Sequence, residues 1–142
     1  MRAIILAAGK GTRLRPITNH TPKPLVRVKD RPLIEHQIIK LKNADVDTIV
    51  VNLHYLGEQI KQHLLAKPWG INLLFSEEDM LLNTGGGITH ALPLLGKEPF
   101  LVVSGDVFTD YPYQQLKLRD NTLAHLVFVP NPNFHSEGDF GL

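Results

Sequence analysis

The sequence predicts an α/β fold with a doubly wound, mainly parallel sheet. Short apolar segments rich in Ile and Val recur along the chain and are nearly continuous, which is typical of strands buried on both faces. Segments with the helical spacing of apolar residues lie between them. In a sheet of this kind ligands bind beyond the carboxyl ends of the strands, so the loops that follow strands are the candidate functional regions.

The elements alternate in the order that such a sheet requires. The predicted strands are residues 3–6, 48–53, 71–75, 100–103 and 123–129. Three helices are predicted from apolar residues that share one face: Leu33, Ile34, Ile38 and Leu41; Leu56, Ile60 and Leu64; Ile88, Ala91, Leu92 and Leu95. We expect Asp30 to cap the first helix and Gly96 to end the third.

Composition limits the class of protein. The 142 residues fit a single domain over residues 1–142, and they contain no cysteine, which excludes disulfides and thiolate metal sites. The formal charge is only +1 and no basic stripe alternates with aromatic residues, so a nucleic-acid partner is not expected. No secretory signal and no apolar run of about 20 residues is present. We therefore expect a soluble, cytoplasmic protein without a membrane partner. The sequence does not predict its oligomeric state.

The first candidate site is the segment LAAGKGTRLRP, residues 6–16, which follows the first predicted strand. It is not a dinucleotide fingerprint, because Leu14 stands where the third glycine is required, and it is not a P-loop, because Ile4 stands at the first glycine. Glycines here would let backbone N–H groups approach a ligand, and Arg13 adds a fixed cation. The alternative is a tight turn with solvated arginines.

Lys23 favours the ligand-binding alternative for this loop. It stands between Pro22 and Pro24, which restrict the backbone on both sides and so hold the lysine at little entropy cost. Several cations around bare amides suit a polyphosphate.

Acidic residues give a second candidate site. Asp106 follows Gly105 directly after a predicted strand, where a carboxylate could bind the Mg²⁺ that accompanies a nucleoside triphosphate; the alternative is a loop aspartate that caps a turn. For Asp110 an N-cap role is favoured over a ligand role. Residues 77–79, Glu-Glu-Asp, are interpreted as a solvated charge run, and no zinc site is assigned to the scattered histidines.

A third candidate site is LNTGGGI, residues 82–88. It places three glycines before a predicted helix, where a base or sugar could approach the backbone; the alternative is a plain flexible loop.

The segments LAAGKGTRLRP and TPKPLV together resemble the opening of the sugar-phosphate nucleotidylyltransferases. With NLHYLGEQI, TGGGI, SGDVFTDY, AHLVFVPNP and GDF, the chain is most similar to the N-acetylmuramic acid 1-phosphate uridylyltransferases of peptidoglycan recycling. One departure is Asn83, where an acidic residue is expected in those enzymes. Mannose- and heptose-phosphate guanylyltransferases share the first two motifs and are the alternative.

The resemblance implies a Rossmann-like nucleotidyltransferase fold and specific site residues. Arg13 and Lys23 would act in catalysis, Asp106 would bind Mg²⁺, and Asp139 would contact the sugar. The implied nucleotide-binding residues are Leu6, Ala7, Ala8, Gly9, Gly11, Thr12, Arg13, Lys23, Gly85 and Gly86.

The implied reaction joins a sugar 1-phosphate to a nucleoside triphosphate, with UTP expected, and releases pyrophosphate. A non-catalytic nucleotide-binding regulatory module is the alternative of another class, and an NAD-binding domain is disfavoured by Leu14. The resemblance also implies that the family's chain continues beyond GDFGL, with further strands and a second metal-binding aspartate. We therefore expect the C-terminal part of the domain to be missing, and this chain to bind nucleotide weakly and to turn over slowly or not at all.

Overall fold

The computed structural model describes residues 1–138. The strands and helices are β1 Arg2–Leu6, β2 Arg27–Val28, β3 Arg31–Pro32, α1 Leu33–Asn43, β4 Thr48–Leu53, α2 Gly57–Leu65, β5 Asn72–Glu77, α3 Asn83–Leu95 and β6 Phe100–Ser104. Short 3-10 helices are Thr12–Leu14, Ile17–Asn19, Lys23–Leu25, Tyr113–Gln115 and Asn133–His135. Among the described residues no helix is long and apolar enough to cross a membrane.

Four strands form a parallel sheet in the order β5-β4-β1-β6. In the register of this sheet Leu6 pairs with Asn52 on one side and with Ser104 on the other. The carboxyl ends of β1, β4 and β6 therefore meet at one edge, as the sequence predicts. Strands β2 and β3 form a separate antiparallel pair.

Helices cover both faces of the parallel sheet, which confirms the doubly wound prediction. On one face, Ile38 of α1 and Ile60 of α2 pack in a core that includes Ile5. On the other face, Ala91 and Leu95 of α3 pack with Ile4 and Val50. Successive residues of β1 thus enter opposite cores, which explains why its apolar run is continuous rather than alternating.

The predicted strand at residues 123–129 is wrong. These residues are irregular, and their side chains are largely in solvent: Leu123 is fully exposed, Leu126 is 60% exposed and Val129 is 76% exposed. A β-branched and aromatic sequence favours a strand only where a neighbouring strand can supply hydrogen bonds and packing. Within residues 1–138 the parallel sheet ends at β6, and no strand pairs with this segment.

The expectations at the helix ends have mixed outcomes. Gly96 ends α3 as predicted, with φ of 83° and its N–H bonded to the Leu92 carbonyl. Asp30 does not cap α1, because Pro32 precedes that helix and the Asp30 carboxylate instead bonds the Arg31 guanidinium at 2.7 Å. Asp110 likewise does not cap the 3-10 turn, which follows Pro112.

Candidate functional site

A cavity of about 320 Å³ lies at the edge where β1, β4 and β6 end. The sequence-predicted residues that line it are Leu6, Ala7, Ala8, Gly9, Gly11, Thr12, Arg13, Lys23 and Asp106. The other residues that line it are Leu14, Pro24, Asn52, Leu81, Asn83, Thr84 and Ser104. The fold thus brings the first glycine loop, Lys23 and Asp106 together, although they are distant in sequence.

The two glycines of the first loop have different local roles. Gly11 has φ of 61°, and a Cβ built there would lie 3.0 Å from Thr18 Cγ2 and 3.1 Å from Lys23 Cβ, so only glycine fits without displacement. The Gly11 carbonyl also accepts a 2.7 Å hydrogen bond from the Thr18 hydroxyl. A Cβ at Gly9 would meet nothing within 4 Å. Gly11 therefore shapes the loop, while Gly9 leaves space open beside the cavity.

Lys23 is held between two buried prolines, Pro22 and Pro24, at the start of a 3-10 helix. Its Nζ lies 2.5 Å from Oδ2 of Asp106. Arg13 is exposed in the 3-10 turn of the first loop. Two cations, Lys23 paired with Asp106 and the exposed Arg13, therefore line the same cavity as the glycine loop.

Gly105 explains how Asp106 reaches this cavity. The Gly105 N–H donates a 2.9 Å hydrogen bond to the Leu6 carbonyl, which continues the pairing of β6 with β1 by one residue. A Cβ at Gly105 would lie 3.0 Å from that carbonyl oxygen. The close approach places the next residue, Asp106, directly beside the glycine loop.

Glu78 corrects the interpretation of residues 77–79 as a solvated run. Its side chain is 6% exposed, and its Oε1 accepts a 2.8 Å hydrogen bond from Asn52 Nδ2. Its Oε2 accepts a 3.0 Å hydrogen bond from the Leu82 N–H. Glu77 does face solvent, where it pairs with Lys61. Charge pattern alone does not distinguish the two glutamates, because the partners of Glu78 come from other segments.

Asn52, which was not among the residues predicted from the sequence, also lines the cavity and is 3% exposed. Its Oδ1 accepts a 2.6 Å hydrogen bond from the Ala7 N–H. A signal for it exists in the sequence: Asn52 is the polar side chain at the carboxyl end of a strand, Thr48–Leu53, in which every residue is buried.

The sequence profile of the nucleotidyl transferase family matches residues 2–142. The chain belongs to the nucleotidyl transferase family. Two relatives show the range of named substrates within it. The chain is 46% identical to the N-acetylmuramate alpha-1-phosphate uridylyltransferase of Neisseria meningitidis serogroup B, over 100% of this chain and 64% of that one. It is 41% identical to the mannose-1-phosphate guanylyltransferase catalytic subunit beta of Drosophila melanogaster, over 81% of this chain and 32% of that one.

A solved structure of the same architecture is that of HddC from Yersinia pseudotuberculosis complexed with GMP-PN. It matches this chain with a TM-score of 0.72 and 28% identity, over 80% of this chain and 51% of that chain. The chain thus spans 64% of the length of the Neisseria enzyme and a smaller share of the other two relatives.

Two predicted site residues, Gly85 and Gly86, are not among the described residues that line the cavity. Gly85 and Gly86 lie within the first turns of α3 rather than in a loop before it, and the neighbouring Asn83 and Thr84 line the cavity instead. A nucleotide contact with Gly85 or Gly86 stays a prediction. Asp139 lies outside the described residues.

Proposed function

We propose that the protein transfers a uridylyl group from UTP to N-acetylmuramate 1-phosphate, releasing pyrophosphate, in cytoplasmic peptidoglycan recycling. The observation that supports this best is the cavity at the carboxyl edge of the sheet, where the glycine loop, Lys23 and Asp106 meet. Membership of the nucleotidyl transferase family supports the reaction class. The 46% identity with a relative named for this activity supports the choice of base and sugar.

The chemistry asks the protein mainly for positioning and charge compensation. A sugar phosphate has a second pKa of about 6, so at neutral pH it is already largely a dianion. The reaction therefore needs no side-chain nucleophile. Its oxygen forms a bond to the α-phosphorus of UTP, and the bond from that phosphorus to the bridging oxygen of pyrophosphate breaks. The electron pair leaves with pyrophosphate, on which negative charge accumulates.

The residues of the cavity match these demands. Backbone N–H groups next to Gly9 can approach phosphate oxygens because no side chain occupies the space. Lys23 and Arg13 supply cations that offset the repulsion between two anionic substrates and the charge on the leaving pyrophosphate. Holding both substrates against these fixed groups aligns the sugar phosphate with the α-phosphorus.

Asp106 fits one ligand position of Mg²⁺. Its Oδ2 is paired with Lys23, and within the described chain its Oδ1 has no hydrogen-bond partner. Mg²⁺ commonly takes one or two carboxylates and completes its coordination with substrate phosphates and water. A single carboxylate beside a phosphate site can therefore supply the protein's part of a Mg²⁺ site. No group of three or more potential metal-ligating side chains occurs among residues 1–138. When bound, Mg²⁺ would neutralise phosphate charge at this position.

A substrate screen tests the proposal. Pyrophosphate release is measured with UTP, GTP, CTP and dTTP, each crossed with N-acetylmuramate 1-phosphate, mannose 1-phosphate, glucose 1-phosphate and a heptose 1-phosphate. This chain and a C-terminally extended version are assayed side by side, with Asp106→Asn as the inactive control. The proposal predicts the highest rate for UTP with N-acetylmuramate 1-phosphate.

A mannose- or heptose-phosphate guanylyltransferase is the second candidate. The Drosophila relative and HddC favour it, because one is named as a mannose-1-phosphate guanylyltransferase and the other was solved in complex with GMP-PN. A highest rate with GTP would establish it and overturn the first proposal. Nucleotide binding with no product from any pair, in the extended version as well, would instead indicate a non-catalytic module.

A further inference from the structure

A chain of buried hydrogen bonds links the two walls of the cavity. The Ala7 N–H donates to Asn52 Oδ1 at 2.6 Å, Asn52 Nδ2 donates to Glu78 Oε1 at 2.8 Å, and the Leu82 N–H donates to Glu78 Oε2 at 3.0 Å. Ala7 belongs to the glycine loop, and Leu82 directly precedes α3. Asn52 and Glu78, here called the brace, therefore connect the loop with the start of the helix.

The polarity of this chain of bonds requires a carboxylate at position 78. Both ends of the brace are backbone N–H donors, so Asn52 must turn its oxygen to Ala7 and its NH₂ to Glu78. Glu78 must then accept at both oxygens, which an ionised carboxylate can do and an amide cannot. Within residues 1–138 Glu78 forms hydrogen bonds but no ion pair. Burying a carboxylate that has no cation beside it costs free energy.

The helix backbone lies directly against the brace. A Cβ built at Gly87 would be 2.7 Å from Asn52 Nδ2 and 2.7 Å from Glu78 Oε1. Only glycine at position 87 lets the first turns of α3 approach this closely. The sequence shows three glycines here, and the structure gives this one a specific reason to lack a side chain.

The first residue of α3 has a left-handed backbone conformation, next to the residue that the brace holds. Asn83 has φ of 59°, a conformation that is uncommon for residues other than glycine, and it lines the cavity. The preceding Leu82 N–H is the group that Glu78 holds. Fixing Leu82 thus fixes where Asn83 and Thr84 stand in the cavity wall.

We propose that Glu78 is a positioning residue, which acts through Asn52 and Leu82 to hold the glycine loop and the start of α3 at the spacing that a nucleoside triphosphate requires. This inference rests on the proposed nucleotide-binding function of the cavity. Glu78 acts on the nucleotide through the backbone of the two walls rather than by its own contact.

Reversing the polarity of the brace tests this directly. In Glu78→Gln, one donor in the chain must face another donor: at the Leu82 N–H, between the two side-chain amides or, if Asn52 turns over, at the Ala7 N–H. In Asn52→Asp, two carboxylates face each other. The double variant Asn52→Asp with Glu78→Gln restores every bond, because the aspartate accepts from Ala7 and from the glutamine amide, while the glutamine oxygen accepts from Leu82.

Amide hydrogen exchange of the nucleotide-free protein gives the first readout. We expect exchange at Leu82, at Ala7 or at both to rise about tenfold in each single variant and to return to within about threefold of the wild-type rate in the double variant. Exchange at Val50, in the centre of the sheet, is expected to change much less. His90→Ala, an exposed position on α3, is the matched control and should leave all three unchanged. Nucleotide is omitted here because an aspartate at position 52 would also repel phosphate.

Titration with UTP gives the second readout. We expect the UTP affinity to fall about tenfold in Glu78→Gln and to stay unchanged in His90→Ala. If Glu78→Gln does not fold, Gly87→Ala replaces it, since its Cβ displaces the brace without changing a polar group; the same local exchange pattern and loss of affinity are expected.

The outcomes separate the two proposals. Wild-type exchange rates at both amides in the single variants, or no recovery in the double variant, would overturn the brace. Equal UTP affinity in wild type and Glu78→Gln would overturn its positioning role while leaving the proposed function intact. If the wild-type chain and its extended version bind no nucleoside triphosphate, the proposed function fails, and the exchange data alone decide whether the brace couples the two walls.

Discussion

Lys23 Nζ lies 2.5 Å from Asp106 Oδ2 in the wall of the cavity, although the two residues are 83 positions apart in the sequence. The Lys23 side chain is 26% exposed and that of Asp106 is 36% exposed. An ion pair so accessible to water contributes at most about 1 kcal/mol to stability. Stability alone therefore does not account for its place beside the glycine loop, in line with the proposed ligand-binding role.

Replacing Asp106 by asparagine should separate folding from function. We expect Asp106→Asn to retain the wild-type unfolding midpoint within a few degrees, because it loses only an exposed ion pair. Its nucleotidyl transfer rate should fall on the order of 100-fold, since an amide lacks the anionic oxygen that Mg²⁺ prefers. The rate is measured in the C-terminally extended version at saturating Mg²⁺. A rate near that of wild type would exclude Asp106 as an essential metal ligand.

Replacing Lys23 by methionine keeps the length of the side chain and removes its charge. We expect UTP affinity to fall roughly tenfold and to depend less steeply on salt concentration, because one cation facing phosphate is lost. Calorimetric titrations at several salt concentrations measure both effects. Lys97→Met is the matched control, since Lys97 is exposed before β6 at the opposite edge of the sheet. An equal loss in both variants would point to general charge rather than a contact at Lys23.

Local pattern was sufficient to predict the parallel sheet and the edge at which the cavity lies. Continuous apolar strands indicate burial on both faces, and this leads to the parallel sheet, its carboxyl edge and the loops that carry Gly9 and Asp106. These features depend on residues close in sequence. The family resemblance implies roles for Lys23 and Arg13 in catalysis, and these roles stay predictions.

Features that depend on distant partners could not be predicted in this way. Glu78 stands beside Glu77 in an acidic run, and only its contacts with Asn52 and Leu82 distinguish it as buried. Position 87 of α3 is a glycine because the helix backbone lies against the brace there, where a Cβ would not fit. Residues 123–129 have strand-forming composition, but no strand pairs with them in the part of the chain that the structure describes.

Glu35 gives the fold a defined dependence on pH. It is 5% exposed in α1, and its Oε1 lies 2.7 Å from His63 Nε2 and 2.6 Å from Lys67 Nζ. Burial alone would raise the pKa of Glu35, but the hydrogen bonds and charges of Lys67 and His63 outweigh burial and lower it. A carboxyl whose pKa is lower in the folded state stabilises the fold above its unfolded pKa, and that stability is lost as pH falls through the folded value.

We therefore expect Glu35→Gln to lower the free energy of unfolding by about 1–3 kcal/mol near neutral pH, because charged hydrogen bonds are lost. The difference from wild type should shrink as pH falls below about 4 and the wild-type carboxyl takes up its proton. Urea denaturation at a series of pH values measures it, with exposed Glu58→Gln as the control. A difference that does not vary with pH would assign the effect to packing instead of charge.

Gly85 allows the predicted nucleotide contact in α3 to be tested apart from stability. A Cβ at Gly85 meets nothing within 4 Å in the protein, and the residue is exposed in the first turns of the helix. Alanine there should raise the free energy of unfolding by about 0.5–1 kcal/mol, since glycine is unfavourable inside a helix. If UTP approaches this backbone closely, the added methyl group must clash with it, and the affinity should fall about tenfold. Thermal unfolding and UTP titration of the same variant would then move in opposite directions, which a destabilised pocket cannot produce.

His90→Ala, exposed on the same helix, should leave UTP affinity unchanged. A more stable Gly85→Ala variant with wild-type affinity would remove Gly85 from the nucleotide site and leave Asn83 and Thr84 as the residues of α3 that line it.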